Sequence, residues 1–242
     1  SLSKICKFST LKRRLASISV IHRLSGHYID IKHPMITENL MGIKRIKGSY
    51  QKAKKPILIN DLKLIIDVIT QDKNEKKRIK NKALILIGFA GGFRRSELVG
   101  IDFEDLDFVK EGVKIFVKRS KTDQSGEGMT KGIPYFTNPN YCPVISLKSW
   151  LKEYKINSGK VFNMSDKSVA LIIKKYTAIA GLDSKKYSGH SLRSGFATST
   201  AELGAEERSI MAMTGHKTTQ MVRRYIQEAN LFKNNALNKI KI

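Results

Sequence analysis

Apolar residues in this chain recur every three or four positions along most of its length and alternate in one stretch only, between residues 101 and 136. That pattern restricts the fold more than any other feature. Leu62, Ile65, Ile66 and Ile69 hold the i, i+3, i+4, i+7 spacing of one helix face, with Asn60 or Asp61 placed to cap it. A second helix is predicted from about Asn81 through Ala90; it is apolar on several faces, as a central helix is, and Gly91 and Gly92 end it. Helical spacing returns at Leu147, Trp150, Leu151 and Tyr154, then at Val169, Ile172, Ile173 and Tyr176. Leu192, Phe196 and Leu203 mark another helix, stopped at Gly204. Between these blocks Val113, Ile115 and Val117 alternate, and Ile133 and Tyr135 do so again, on either side of a Ser/Thr/Gly-rich stretch. Such a pair of runs predicts a small antiparallel sheet with a long hairpin tip. The expected class is therefore mainly α with a small antiparallel β-sheet (α+β).

Charge restricts the partner. The chain has 45 Lys and Arg against 21 Asp and Glu, a net charge of +24. A polyanion is the natural partner of such a field, because every phosphate neutralised releases counterions. The competing polyanion, an anionic membrane, finds no span: the longest near-continuous apolar run, Ala83 to Ala90, is too short to cross a bilayer. Nucleic acid is expected and membrane is not. No aromatic-stacking motif of the usual RNA-binding kind is present. Cys6 and Cys142 are far apart and lack metal-ligand spacing to any histidine, which fits a reducing, cytosolic compartment and predicts neither a disulfide framework nor a metal site.

Residues 1–50 carry ten Lys or Arg against Asp30 and Glu38. Leu11, Leu15, Ile18 and Ile21 keep helical spacing beside Lys12, Arg13 and Arg14. After the His33-Pro34 break, Leu40, Ile43 and Ile46 do the same among Lys44, Arg45 and Lys47. These six cations are candidate DNA-binding residues. Two basic helices bury little core alone, so residues 1–50 read as the remaining part of a helical domain. A polar, basic stretch ending in Pro56 suits a linker over 51–56, and 57–242 form the second domain with its C-terminal tail. The start at Ser1, without Met and almost directly into helical pattern, reads as that of a fragment.

A set of chemistry-bearing side chains is spread through the second domain. Arg94 lies in GGFRRSEL, with Glu97 three residues later to hold a guanidinium in place; Arg95 is its rival. His190 and Arg193, in GHSLR near a helix start, share one face and can grip one phosphate. Lys121, in RSKTDQSGEG at the hairpin tip, can protonate a departing 5′-oxygen. His216 lies in TGHKTTQ and Tyr225 in MVRRYIQ. A tyrosine needs cationic neighbours to act as a nucleophile, and the i, i+4 pair Met221 and Tyr225 reads equally as core. Each signal is weak alone.

In this order and at these separations, GGFRRSEL, RSKTDQSGEG, SGHSLRSGFAT, TGHKTTQ and MVRRYIQ resemble the catalytic domain of the tyrosine recombinases, the phage integrase family, over roughly residues 56–230. The resemblance implies that Arg94, rather than Arg95, and Arg193 clamp the scissile phosphate, with Glu97 orienting the first arginine. Lys121 and His190 would manage protons, His216 would support the transition state, and Tyr225 would form a 3′-phosphotyrosyl intermediate without cofactor, metal or ATP. Ser191 and Ser194 stand where many members have an acidic residue and a second histidine. The resemblance further implies that residues 1–50 are the later part of a core-binding domain, N-terminally truncated. It implies action on double-stranded DNA as a tetramer in the bacterial cytosol or nucleoid, with accessory DNA-bending or directionality proteins as possible partners. The apolar tail residues Leu231, Phe232, Leu237, Ile240 and Ile242 can serve a neighbouring protomer or fold back on their own. A type IB topoisomerase-like enzyme and a catalytically silent site-specific DNA-binding protein are the alternatives.

Overall fold

The computed structural model describes residues 5–48, 53–118, 127–216, 218–230 and 236–240. The chain divides into two compact units, Ser1–Ala53 and Lys54–Ile242.

The first unit contains α1 (Phe8–Leu24) and α2 (Pro34–Lys47). Pro34 occupies the first turn of α2, where its missing N–H costs nothing, and His33 Nδ1 accepts from Met35 N at 3.3 Å. Lys47 Nζ donates to Cys6 O at 2.9 Å and ties the end of α2 to the segment before α1. Neither helix has a buried residue. Of the apolar stripe, Leu11, Leu15, Leu40 and Ile43 are half-buried, whereas Ile18, Ile21 and Ile46 are exposed. Lys12, Arg13, Arg14, Lys44, Arg45 and Lys47 are all exposed.

The second unit is helical around α4. Its described elements are α3 (Ile59–Thr70), α4 (Glu75–Ala90), α5 (Arg95–Gly100), β1 (Leu106–Val109), β2 (Gly112–Val117), β3 (Met129–Pro134), α6 (Pro143–Glu153), α7 (Asp166–Ile179), α8 (Ser191–Glu202), α9 (Glu207–Thr214) and α10 (Thr219–Ala229). Ala83, Leu84, Ile85, Leu86 and Ile87 of α4 are all essentially without solvent access, and α3, α6 and α8 pack around them. At about 1.5–3 kcal/mol per large apolar side chain, this helix supplies much of the burial that drives folding. The turn after α3, the middle of α4 and the second half of α7 are joined by one polar network. Tyr176 Oη donates to Asp72 Oδ2 at 2.7 Å and accepts from Asn81 Nδ2 at 3.0 Å, while Lys175 Nζ lies 3.1 Å from Asp72. These hydrogen bonds, Tyr176 first, hold the Asp72 carboxyl down at about 2.

Two expected helix starts move. Leu58 precedes α3 without a side-chain cap, and Asp61 lies in the first turn, where it receives Tyr187 Oη at 2.9 Å and Lys55 Nζ at 3.1 Å. A carboxylate there is favoured by the helix dipole without capping anything. Helix α4 begins six residues before Asn81, with the Asn74 side chain accepting from Lys77 N at 2.9 Å; its charged first turns, EKKRIK, carry no apolar periodicity to announce them.

The sheet has the order β1-β2-β3, antiparallel throughout, with Leu106 opposite Ile115 and Val113 opposite Ile133. Val113, Ile115 and Val117 point to the core as expected, and β1 is a strand the alternation did not reveal. Tyr135 lies just past the end of β3. On β3 the buried positions are Lys131 and Ile133.

Candidate active site

Four segments converge on one place: the turn after α4 with the start of α5, the start of α8, the end of α9, and the middle of α10. Each is placed by packing. The approach to α8 is fixed from outside: Ile57 N donates to Ser191 O at 2.9 Å, and a Cβ on Gly195 would meet Ile57 O at 2.0 Å, so only glycine lets the two backbones come this close. Ser191 and Ser194 close the local hydrogen bonds of the helix start. Ser191 Oγ accepts from Ser188 N at 2.9 Å, and Ser194 Oγ donates to His190 O at 3.1 Å. Gly215 ends α9 in the left-handed conformation, φ +63, and turns the chain back toward α8. Helix α10 is held by Val222, which has no solvent access and packs with Ala197, Ala201 and Ile210; Tyr225 and Ile226 continue the same stripe. Met221 is 54% exposed, so the pairing of Met221 with Tyr225 is not a core contact.

Arg94 immediately precedes α5. Glu97 Oε2 accepts from Arg94 N at 2.9 Å, and Glu97 Oε1 accepts from Arg94 Nη1 at 2.5 Å. One buried carboxylate thus fixes both the backbone and the guanidinium of this arginine, a charge-assisted arrangement stronger than a surface pair. Arg95 goes elsewhere. Its aliphatic stem lies against Gly189 and its Nη2 is 3.6 Å from Asp166 Oδ2. Arg193 is 1% exposed, donates through Nη1 to Gly92 O at 2.9 Å, and leaves Nη2 buried without a hydrogen-bond partner among the described residues.

His190 Nε2 lies 3.3 Å from Tyr225 Oη. The His216 ring faces Tyr225 at 6.0 Å between centroids. Thr214 Oγ1 is 2.6 Å from Ile210 O and 2.7 Å from His216 Nδ1. A carbonyl can only accept, so the single hydroxyl proton goes to Ile210 and His216 Nδ1 donates to the hydroxyl, which leaves Nε2 as the other nitrogen of the neutral ring.

The structure therefore brings Arg94, Glu97, His190, Arg193, His216 and Tyr225 together. Lys121 lies outside the described residues. It also adds a residue that was not foreseen: Lys131 on β3, whose Nζ donates to Gly91 O at 2.8 Å and lies 3.9 Å from Glu97 Oε2. Strand parity with Ile133 was the available signal, since alternation puts a lysine at 131 on the inner face.

The assembled charges oppose one another. Burial, then the Arg94 charge, lowers the Arg193 pKa to about 10 despite Glu97 and Tyr225. Burial, then Arg193 and Arg94, lowers His216 to about 4 and also depresses His190. Burial brings Lys131 down to about 7, with Glu97 opposing and both arginines adding to the effect. Every shift points the same way: cations held out of water and beside cations, a field whose energy falls when an oxyanion enters. Among the described residues no group of three or more His, Cys, Asp or Glu is placed to hold a metal ion, and no helix is long and apolar enough to cross a membrane.

Comparison with known proteins gives the family. The model of the phage integrase family matches residues 57–231. A protein of Selenomonas ruminantium described as an integrase/recombinase xerD homolog is 43% identical over 99% of this chain and 74% of its own length. The tyrosine recombinase XerC of Syntrophus aciditrophicus is 29% identical over 61% of this chain; the match spans 48% of that protein. Among solved structures, the XerH site-specific recombinase bound to palindromic difH substrate superposes with a TM-score of 0.61 at 19% identity, covering 80% of this chain and 57% of that one. XerA recombinase does so with a TM-score of 0.59 at 17% identity, covering 98% and 84%. With the family model taking in most of the second unit and a 43%-identical relative matching from end to end of this sequence, the chain belongs to the phage integrase family, the tyrosine recombinases.

Proposed function

We propose that this chain is a site-specific recombinase or integrase that cuts and rejoins double-stranded DNA through a covalent 3′-phosphotyrosyl intermediate on Tyr225. The observation that carries this reading is Arg193 Nη2, a buried guanidinium donor without a partner among the described residues, beside an Arg94 that Glu97 holds in place. Two such arginines present parallel N–H donors to the non-bridging oxygens of a phosphodiester, where negative charge grows during in-line displacement. Tyr225 Oη attacks phosphorus, a tyrosyl O–P bond forms, and the bond from phosphorus to the 5′-oxygen breaks. His190 is placed to accept the phenolic proton, since its Nε2 faces Tyr225 Oη and its pKa is below the usual histidine value. Lys121, or His190 itself once protonated, supplies the proton that the 5′-oxygen takes up. His216 supports the phosphate by taking up a proton on Nε2 as the oxyanion enters and donating it to a phosphate oxygen, with Thr214 holding its ring through Nδ1. Reversal with a different 5′-hydroxyl rejoins the strand, and the phosphotyrosyl bond conserves the energy of the broken one.

The first unit, with Lys12, Arg13, Arg14, Lys44, Arg45 and Lys47 exposed on two helices, is the later part of a core-binding domain that grips the duplex backbone. Four protomers act on two duplexes in the bacterial cytosol, with accessory DNA-bending or directionality proteins as partners; family membership is the support for these assignments. Covalent capture tests the core of the proposal. The protein is incubated with sheared host DNA and denatured, and the attached DNA is sequenced, with Tyr225→Phe alongside. Attachment that needs Tyr225 and concentrates at one sequence is expected. Attachment without sequence preference favours the topoisomerase-like reading, and attachment that survives in Tyr225→Phe removes Tyr225 from the mechanism.

A further inference from the structure

We propose that Lys131 is a positioning residue of the strand-cleavage reaction: its buried ammonium, set between the Gly91 carbonyl and the Glu97 carboxylate, holds the Arg94–Glu97 pair in the geometry that meets the phosphate. The inference rests on the reading of Arg94 as a phosphate ligand.

A lysine on the inner face of a strand is costly, because an ammonium out of water must be repaid by close partners. Lys131 is 1% exposed, and its partners are specific. Nζ donates to Gly91 O at 2.8 Å, sits 4.3 Å above the Phe93 ring, and lies 3.9 Å from Glu97 Oε2. Gly91 and Phe93 belong to the turn from α4 into α5 and Glu97 to the first turn of α5, the segment that delivers Arg94. The next carbonyl of that turn, Gly92 O, accepts from Arg193 Nη1 at 2.9 Å. Two buried cations from different elements, β3 and α8, therefore hold adjacent carbonyls of the same turn. Arg94 and Arg193 owe their relative position to that turn. Glu97 has Arg94 on its Oε1 side and Lys131 on its Oε2 side, so the lysine balances the carboxylate that anchors the arginine. A leucine or methionine at 131 would fill the same space in an otherwise apolar strand face. The ammonium is what the turn and Glu97 use.

The groups facing Lys131 are Glu97 and Arg94 at α5, Arg193 on α8, and His216 after α9, whose own pKa the lysine depresses. With the Lys131 pKa lowered to about 7, the ammonium is charged below that pH in the free protein and increasingly neutral above it. A phosphate between the arginines favours the charged form, so DNA binding draws a proton onto this lysine.

Two measurements on the full chain test this. In the first, lysine and arginine side-chain NMR is recorded without DNA on the wild type, Lys131→Met and Lys131→Arg. The Lys131 signal is expected to titrate far below the other lysines, and the Arg94 Nε–H signal to move in Lys131→Met but not in Lys131→Arg. A Lys131 that titrates with the surface lysines, or an Arg94 signal indifferent to both variants, overturns the inference. In the second, the rate of covalent attachment to sheared host DNA is followed against pH at sub-saturating DNA, where it reports the free protein, with DNA affinity measured in parallel. Misplacing a clamp in this way is expected to slow attachment by about 10- to 100-fold in Lys131→Met, with affinity nearly unchanged. Lys131→Arg should keep most of the rate and lose the decline above about pH 7. Equal rates for all three proteins, or a decline that persists in Lys131→Arg, would refute it. If the wild type attaches to no DNA at all, the proposed function fails instead, and the NMR comparison still decides the role of Lys131.

Discussion

Arg193→Met is the perturbation in which this site's energetics are most exposed. Arg193 is 1% exposed and hydrogen-bonded, a position where an apolar replacement ordinarily destabilises. Here the charge itself is disfavoured: burial and Arg94 lower its pKa from the ordinary guanidinium range to about 10. At about 1.4 kcal/mol per unit, the folded state bears on the order of 3 kcal/mol against the charged form. The folded pKa is the lower one, so this penalty is complete below about pH 10 and disappears only as pH rises to the ordinary guanidinium value. Methionine removes it, keeps much of the side-chain volume, and gives up the bond to Gly92 O, whose stranding costs about 1–3 kcal/mol. The two nearly cancel, leaving a change between about zero and +2 kcal/mol, in line with buried charges replaced by apolar groups elsewhere. The melting temperature of Arg193→Met should therefore stay level or rise by a few degrees, at about 2–4 °C per kcal/mol for a domain of this size. Covalent capture should fall at least about 100-fold, the usual cost of losing one transition-state donor. Overall DNA affinity should change little, because one phosphate among many is lost. Scanning calorimetry and capture on the same preparation decide it. A fall of more than about 6 °C would mean that Arg193 supports the fold rather than straining it, and the reasoning from its unpartnered Nη2 would be wrong.

The other consequences are smaller. Glu97→Gln keeps the shape but removes the charge that fixes Arg94, and capture should slow by about 10- to 100-fold with DNA affinity nearly constant; equal losses in both would point to general unfolding. Thr214→Val removes the hydroxyl 2.7 Å from His216 Nδ1 while preserving volume, so the His216 tautomer, read by ¹⁵N NMR, should change and capture should fall by about tenfold. An unchanged tautomer would show that the hydroxyl does not set it. Replacing Lys12, Arg13 and Arg14 together by Ala should lower the salt dependence of DNA binding by about 2–3 phosphate contacts, measured as the slope of log affinity against log salt. A slope that does not move would take this face of α1 off the DNA.

Long helices with one wet face were legible in the residues, because burial leaves a stripe. The stripes at Leu62–Ile69 and Val169–Tyr176 became α3 and α7. The first turns of α4 were not legible, since Glu75–Lys80 are solvated and carry no stripe, and β1 was too short and irregular to alternate. At the site, the residues alone left Arg94 and Arg95 as rivals. What separates them is three-dimensional: Glu97 turns toward one, while Gly189 and Asp166 receive the other. Lys131 was hidden by abundance. In a chain with 45 Lys and Arg, one lysine in a short strand attracts no notice until its parity with Ile133 is read as burial.

The cations at this site are crowded by design of the packing, and this bears on why the function needs a folded protein rather than a basic surface. A surface arginine meets phosphate at high dielectric, where the attraction is small and the side chain must be ordered on contact. Arg193 and Arg94 are instead oriented beforehand, by Gly92 O and by Glu97, and Arg193 sits where water no longer weakens it. The cost is visible in the free protein as depressed pKa values at Arg193, His190, His216 and Lys131. An entering phosphate relieves the strain at all four positions at once, and most when its charge is greatest, at the pentacovalent stage. The same repulsion that weakens the free fold therefore becomes preferential binding of the transition state, the condition for catalysis. A basic surface of equal net charge would bind DNA and leave the phosphodiester bond intact.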